Sequence, residues 1–425
     1  MRVVHICNLP LTTDHPDARR LTMHPGRWVL NLAQAQKAHT DILPELVVQV
    51  PGASREHITE VEGIPVHFLA APNRLRAATL FYFDVKRISR YVRKLAPDLV
   101  HAHGTEESYL LAAQATGLPN LVTAQGCYFI INREFSPKLV SRARAVEFTE
   151  WLGLRRAKNV IAKSKYVAEE LRKKFPHLNI HEIPNTFDAR LLDIPLARER
   201  EPGSLAFVGT IVKRKGVHIL AQALEILKAE SGKRKVENQK IRLHVFGNRP
   251  DNPSPYEQSI ISNLQSLLGD RVIFHGTVPA LEVAGALSRI ELLVAPSLEE
   301  MFGNQVIEAL LVGCQPIVTG GTAMAENLRR LDCGTIVPQG DPFALAEAIA
   351  YCLALSRQQW QTGDPQSAHT VSNQQSRADR EETDERSSPA GLSEAKAIVR
   401  KRILDWMGPE TIARSHEAVY ASLTT

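Results

Sequence analysis

Val294-Ala295-Pro296-Ser297-Leu298-Glu299-Glu300-Met301-Phe302-Gly303-Asn304-Gln305-Val306-Ile307-Glu308-Ala309-Leu310 is the stretch from which the fold can be read. The apolar run Leu292 to Ala295 halts at Pro296-Ser297, as a buried parallel strand does on reaching a loop. Glu299 and Glu300 stand in that loop. Val306, Ile307, Leu310 and Leu311 then recur at helical spacing. Asn304 is the expected N-cap, and Gly303 lets the backbone come close to a ligand. A strand, a loop and a helix N-terminus in this order present N–H groups and a positive dipole end, a natural seat for a phosphate. Glu300 and Glu308 would flank that seat. Carboxylates accept hydrogen bonds in pairs, which suits the hydroxyls of a sugar. Two solvated surface glutamates beside a chance helix start would explain either residue alone, but not the whole constellation.

The same grammar repeats outward from this stretch. Leu205 to Val208 reads as a strand, Gly209-Thr210-Ile211-Val212-Lys213-Arg214-Lys215-Gly216 as its loop, and Val217 to Ala229 as a helix. The basic triplet Lys213, Arg214, Lys215 is a second candidate phosphate contact. Ile241 to Phe246 is a strand ending at Gly247. Val272 to Val278 is another, whose final loop could hold a nucleobase by backbone groups, and Gln315 to Thr319 follows. Towards the N-terminus, strands are expected at Val3 to Cys7, Ile42 to Val50, Ile64 to Phe68, Leu99 to His103 and Asn120 to Thr123. Helices are expected from His24-Pro25-Gly26, from Phe83 to Leu95 and from Leu110 to Thr116. Alternating strands and helices mean a parallel, doubly wound sheet that binds ligands at the carboxyl ends of its strands. Gly26, His103 and Gln125-Gly126 would therefore share one crevice, although His103 could equally be a packing histidine at a strand end.

At 425 residues the chain is too long for one core. We expect an N-terminal Rossmann-like domain over 1–190, a linker over 191–203 and a second Rossmann-like domain over 204–405. A polar segment nearly free of aliphatics, 358–389, reads as a disordered insertion. A final helix over 406–425 would pack back on the first domain. Hydrophobic content of 44% and charged content of 23% are ordinary for a globular chain, and a net charge of +5 is too mild to imply nucleic acid. The five cysteines are scattered without zinc spacing, which points to a reducing compartment and to no structural metal. No signal peptide and no spanning apolar run is evident, so a cytoplasmic location is expected. Two basic segments, Arg74 to Lys94 with Leu80-Phe81-Tyr82-Phe83, and Arg133 to Phe175, suggest peripheral contact with an anionic membrane. A solvated cationic helix face is the plainer reading of both.

Taken together, these residues resemble the retaining glycosyltransferases of family 4, with the GT-B fold. Glu300-Met301-Phe302-Gly303-Asn304-Gln305-Val306-Ile307-Glu308 matches that family's E-x7-E element. Phe207-Val208-Gly209 with Lys215-Gly216, Val272 to Gly276, Gly340-Asp341-Pro342, Pro97-Asp98, His101-Ala102-His103-Gly104, Ser164 with Val167-Ala168, and Ile183-Pro184-Asn185 also fit its pattern. The resemblance implies two Rossmann-like domains facing each other across a deep cleft. It further implies that a hexose moves, with retention, from a nucleotide-diphospho-sugar to a saccharide or lipid-linked acceptor in surface polysaccharide synthesis. By it, Glu300 would bind donor-sugar hydroxyls and Glu308 the ribose hydroxyls. Lys215 and the backbone of Phe302, Gly303, Asn304, Gln305 and Val306 would neutralise the diphosphate as it departs. Gly26, Gly209, Thr210, Lys213, Arg214, Gly247 and Val278 complete the donor-binding set, and Gln125 and His103 join Glu300 and Lys215 as catalytic candidates. The departing phosphate would help deprotonate the acceptor, so no protein nucleophile, metal or cofactor is expected. Three departures stand out: one glycine, Gly26, where a Gly-Gly loop is usual; Gln125 for the usual His; and Thr210 for the usual Arg. A glycogen-synthase or sucrose-synthase relative is disfavoured, since no Lys-x-Gly-Gly follows the first strand. The alternative is a degenerate GT-B protein acting as a non-catalytic partner or scaffold.

Overall fold

The opening stretch lies in a parallel sheet of six strands. In the computed structural model, which describes residues 1–18, 21, 26–131, 142–196, 200–230, 241–247, 253–362 and 389–424, these strands are β9 (Glu201–Val208), β10 (Arg242–Phe246), β11 (Val272–Gly276), β12 (Ile290–Ala295), β13 (Gln315–Thr319) and β14 (Thr335–Val337). They are numbered after eight strands of the first half. All six residues of β12 are buried, as expected of a strand covered on both faces. The order across the sheet is β11-β10-β9-β12-β13-β14, and every pairing is parallel. Counted within this sheet, that is the doubly wound order 3-2-1-4-5-6, and the winding reverses between β9 and β12. The core is aliphatic, with Leu205, Val217, Leu220, Leu243, Leu264, Leu292, Val294 and Ile349 all buried in one cluster. Each such side chain contributes about 1.5–3 kcal/mol by leaving water.

The second sheet belongs to the first half of the chain. Its strands are β1 (Arg2–Cys7), β2 (Leu43–Pro51), β3 (His57–Val61), β4 (Ile64–Ala71), β5 (Leu99–His103), β6 (Asn120–Ala124), β7 (Asn159–Ala162) and β8 (Asn179–Glu182). The order is β3-β4-β2-β1-β5-β6-β7-β8. Only β3 runs antiparallel, against β4, and the winding again reverses at the first strand, between β1 and β5. The last helix, Pro409–Thr424, packs against the helix Trp28–His39 and against β5. By contacts the chain divides into two units, Met1–Asp188 with Trp406–Thr425, and Ala189–Asp405.

Several expectations need correction. Strands β3, β7, β8 and β14 were not expected; β7, β8 and β14 have four, four and three residues, too short for a period to register, and β3 is a five-residue edge strand with no fully buried position. The first helix begins at Trp28, and His24-Pro25, from which it was expected to start, lie outside the described residues. β11 ends at Gly276, whose φ of 72° turns the chain, so Val278 stands in the loop and not in the strand. β9 begins at Glu201, so Glu201, Pro202 and Gly203, expected in the linker, lie in the strand, a proline being tolerated near the start of one. Of the segment 358–389, residues 363–388 lie outside the described residues; 358–362 continue the helix Pro342–Thr362, and Pro389 opens the helix Pro389–Met407.

Candidate functional site

The reversal between β9 and β12 places the loops following these two strands side by side, where doubly wound sheets bind ligands. After β9 the chain runs through Gly209 and Thr210 into a single 3-10 turn, Lys213–Lys215, and then into the helix Val217–Glu230. After β12 it runs through Pro296 to Gly303 and into the helix Asn304–Leu311. Backbone bonds join the two loops: the N–H groups of Leu298 and Glu299 both donate to the Arg214 carbonyl, at 2.8 and 3.3 Å. Gly216 makes this approach possible. It sits at φ 69°, and a Cβ there would lie 1.8 Å from the Pro296 carbonyl oxygen.

Lys215 is thereby brought onto Glu300. The ammonium donates to the Glu300 carboxylate, and the two side chains are only 13% and 14% exposed. A pair this well covered holds its geometry, because separating it would strand a charge away from water. Glu300 is fixed further: its Oε1 accepts from the Met301 N–H at 3.1 Å, and its carbonyl accepts from the Ala323 N–H at 3.0 Å. The Phe302 carbonyl accepts from the Asn327 side chain at 2.8 Å. The N-cap of the following helix is Gly303, with φ 82°, and not Asn304. Glycine takes this left-handed conformation freely, so Asn304 already belongs to the first helical turn. That turn holds no acidic residue of its own, and the carboxylate just before it, Glu300, is paired with the Lys215 ammonium. Glu308 lies one turn further on, half-buried.

The other donor-side candidates also sit at strand carboxyl ends. The Gly209 N–H donates to the Phe246 carbonyl at 2.8 Å, and the Gly247 N–H to the Gly276 carbonyl at 2.9 Å, so the loops after β9, β10 and β11 are laced in sequence. Thr210 and Lys213 are exposed, while Arg214, Gln305 and Val278 are half-buried. Phe302 and Val306 are buried.

The first-unit candidates gather at its own reversal point. His103 closes β5, and Gln125 follows β6. A small cavity is lined by His103, Thr123, Gln125, Asn185, Trp28 and His416, among others. Gly26 stands two residues before Trp28. The Gln125 side-chain amide donates to Asn185 Oδ1 at 3.3 Å, and the Gln125 backbone carbonyl accepts from Lys163 Nζ at 2.7 Å. Glu150, missed in the sequence, holds the next turn: it accepts from the Tyr128 and Phe129 N–H groups, both at 2.9 Å, and from Thr105 at 2.6 Å. Burial raises the Glu150 pKa. No sequence motif marks Glu150; its only signal is an acid within an otherwise apolar helix face. Among the described residues, His5, His101 and His103 form a group close enough to hold a metal ion, but five of their six ring nitrogens already meet protein partners. Among the described residues no helix is long and apolar enough to cross a membrane.

Two family models match the chain: one described as Glycosyltransferase Family 4 over residues 26–191, the other as Glycosyl transferases group 1 over residues 202–354. A 2-deoxystreptamine N-acetyl-D-glucosaminyltransferase of Streptomyces fradiae is 26% identical over 60% of this chain and 62% of its own length. A D-inositol 3-phosphate glycosyltransferase of Xylanimonas cellulosilytica is 25% identical over 60% of this chain and 64% of its own. The chain thus spans less than two thirds of either relative. Among solved structures, sucrose-phosphate synthase from Thermosynechococcus elongatus superposes with a TM-score of 0.70 at 20% identity, covering 99% of this chain and 98% of that one. Anabaena HepE in complex with UDP-glucose gives 0.64 at 16% identity over the whole of both chains. At such identities the likeness shows the fold, which is the expected α/β fold with two Rossmann-like sheets.

Proposed function

The chain belongs to the family 4, group 1 glycosyltransferases, and on that premise we propose that it moves a hexose, with retention, from a nucleotide-diphospho-sugar to a saccharide or lipid-linked acceptor. One observation carries the reading. Lys215 and Glu300 come from loops on either side of the β9/β12 reversal and meet directly in front of a helix whose first turn carries no acid. A diphosphate seated there gains from the Lys215 ammonium and from the dipole end. Both favour the leaving group more as its charge grows, which lowers the barrier and not only the ground state. In this reading Glu300, relieved of part of its pairing with Lys215, accepts from donor-sugar hydroxyls. Glu308 accepts from the ribose hydroxyls, and the loop after β11 with Val278 borders the base. Lys213 and Arg214 supply the charge that Thr210 does not.

The relatives support the donor class without fixing the sugar. HepE is described with UDP, with UDP-glucose and with UDP and glucose, so a uridine diphosphate sugar is the first donor to try. In the same reading the acceptor binds to the first unit, around Gln125 and His103. A role in surface polysaccharide synthesis and a peripheral seat on an anionic membrane belong to the same reading. The membrane seat is supported by the exposed Tyr82 and Phe83 at the start of the basic helix Tyr82–Leu95, with Lys86 over the Tyr82 ring. Thermal-shift and hydrolysis screens with UDP-, GDP- and ADP-sugars test the donor claim. Stabilisation by one nucleotide class, at least halved in Lys215→Met, is expected; no response to any donor would remove the proposal.

A further inference from the structure

His5 on β1 stands directly opposite His101 on β5, and His103, two residues along, projects from the same face of the sheet. Burial keeps these imidazoles neutral, lowering the pKa of His5 to about 3 and those of His101 and His103 well below the usual value. A neutral imidazole carries one N–H and one bare nitrogen, so the proton positions follow from the partners. The Gln36 amide donates from Nε2 to the Tyr420 hydroxyl at 3.1 Å, which turns its oxygen towards His5 Nε2 at 3.0 Å. An amide oxygen only accepts, so His5 carries its proton on Nε2 and is bare at Nδ1. His103 Nε2, 2.8 Å from that bare nitrogen, must then be the donor. His103 is left bare at Nδ1, an atom that is buried and has no partner. The other branch agrees: Tyr420 gives its proton to His101 Nδ1 at 2.6 Å, and His101 Nε2 donates to Thr123 at 2.7 Å. Reversing the Gln36 amide would reverse every bond in this chain and place a proton on His103 Nδ1 instead.

The bare nitrogen belongs to a ring that lines the small cavity shared with Trp28, Thr123, Gln125, Asn185 and His416. His416 donates from Nδ1 to the Ile412 carbonyl at 2.8 Å, so its Nε2 is also an acceptor. A buried acceptor without a partner calls for a donor group. We propose that Gln36 and His5 are positioning residues that hold His103 in the tautomer bare at Nδ1, and that this nitrogen accepts a hydrogen bond from a hydroxyl of the sugar substrate. The hydroxyl half of this inference rests on the transferase reading; the tautomer half does not.

The test begins without substrate. In long-range proton–nitrogen NMR spectra of the full chain labelled with 15N-histidine, His5, His101 and His103 should each be protonated at Nε2, and His416 at Nδ1. A proton on His103 Nδ1 overturns the proposal. Gln36→Leu removes the acceptor for His5 and should give His103 a mixture of tautomers. It should also raise KM for the sugar substrate about two- to tenfold, the range for one neutral hydrogen bond, with kcat less affected. Gln36→Glu, whose carboxylate still accepts from His5 Nε2, should restore the single tautomer and most of the KM. An unchanged His103 tautomer in Gln36→Leu overturns the positioning role. Should Gln36→Leu fail to fold, Gln36→Met removes the same acceptor with a more flexible side chain, and an unchanged tautomer there is equally fatal. The expected tautomer together with no turnover of any nucleotide sugar would remove the transfer reading and the hydroxyl half alone.

Discussion

Replacing Gly216 by alanine tests how the two loops at the β9/β12 reversal are held together. Its φ of 69° is left-handed, and an added Cβ would lie 1.8 Å from the Pro296 carbonyl oxygen. An unstrained contact needs about 3.5 Å, so one loop must retreat by roughly 1.5 Å. A non-glycine residue held in this conformation costs about 1–3 kcal/mol before the clash is counted. For a unit of this size each kcal/mol shifts Tm by about 2–4 °C, so scanning fluorimetry should show a fall of roughly 5–10 °C. Retreat also separates Lys215, the residue before Gly216, from Glu300. A displacement of about 1 Å at a reacting centre can cost about a hundredfold in rate, and kcat/KM with the preferred donor should fall to that extent. The backbone bonds from Leu298 and Glu299 to Arg214 run through the same loop, so hydrogen exchange at those amides should quicken. Unchanged Tm and unchanged kcat/KM in Gly216→Ala would refute the claim that this contact sets the site.

Lys215→Met should raise the Kd for the nucleotide diphosphate about ten- to a hundredfold, the range for a lost charged hydrogen bond, read by calorimetry. It should also lower Tm, since it takes the ammonium away from a largely covered carboxylate. Glu308→Gln should weaken binding of the intact donor while leaving circular dichroism and Tm unchanged; equal donor affinity would end its ribose role. Acid should unfold the first unit early. His5 and His416 have pKa values lowered by burial from 6.5 to about 3 and about 4, so below pH 6.5 the unfolded chain binds more protons. Stability therefore falls as pH drops from about 6.5 to about 4. His416→Leu should flatten part of that slope in Tm measured against pH. Glu106 has the opposite sign: burial raises its carboxyl from 4.5 to about 8, so its contribution is lost as pH rises through that window. Glu106→Gln should raise Tm at pH 8 more than at pH 5.

The placement of the donor-side candidates was legible because they follow strands that announce themselves. Leu292 to Ala295 and Leu205 to Val208 are apolar runs with abrupt ends, and the candidate residues lie in the loop beyond each. Their direct contact was not legible, since Lys215 and Glu300 were assigned separate tasks and only the sheet order brings them together. Asn304 was misjudged as the cap because a glycine in the left-handed region can itself end the loop, one residue earlier. The histidine chain was beyond sequence reasoning for a different reason. It depends on the register that sets His5 against His101 and on Tyr420, 384 residues away from the Gln36 it bonds. Alternating histidines at His101 and His103 were the only hint. Strands such as β7 and β14 were lost because three or four residues carry too little periodicity against a basic or polar neighbourhood.

The central claim is that the seat before the helix Asn304–Leu311, completed by Lys215, holds a nucleotide-diphospho-sugar. Thermal shift of the full chain against UDP-glucose, GDP-mannose and ADP-glucose, each with wild type and Lys215→Met, measures it most directly. A donor at about a hundred times its Kd adds about 2.7 kcal/mol to the folded state, so one nucleotide class should raise the wild-type Tm by several degrees and the variant's by no more than about half as much. Equal stabilisation of both proteins, or none of either by any donor, would contradict it.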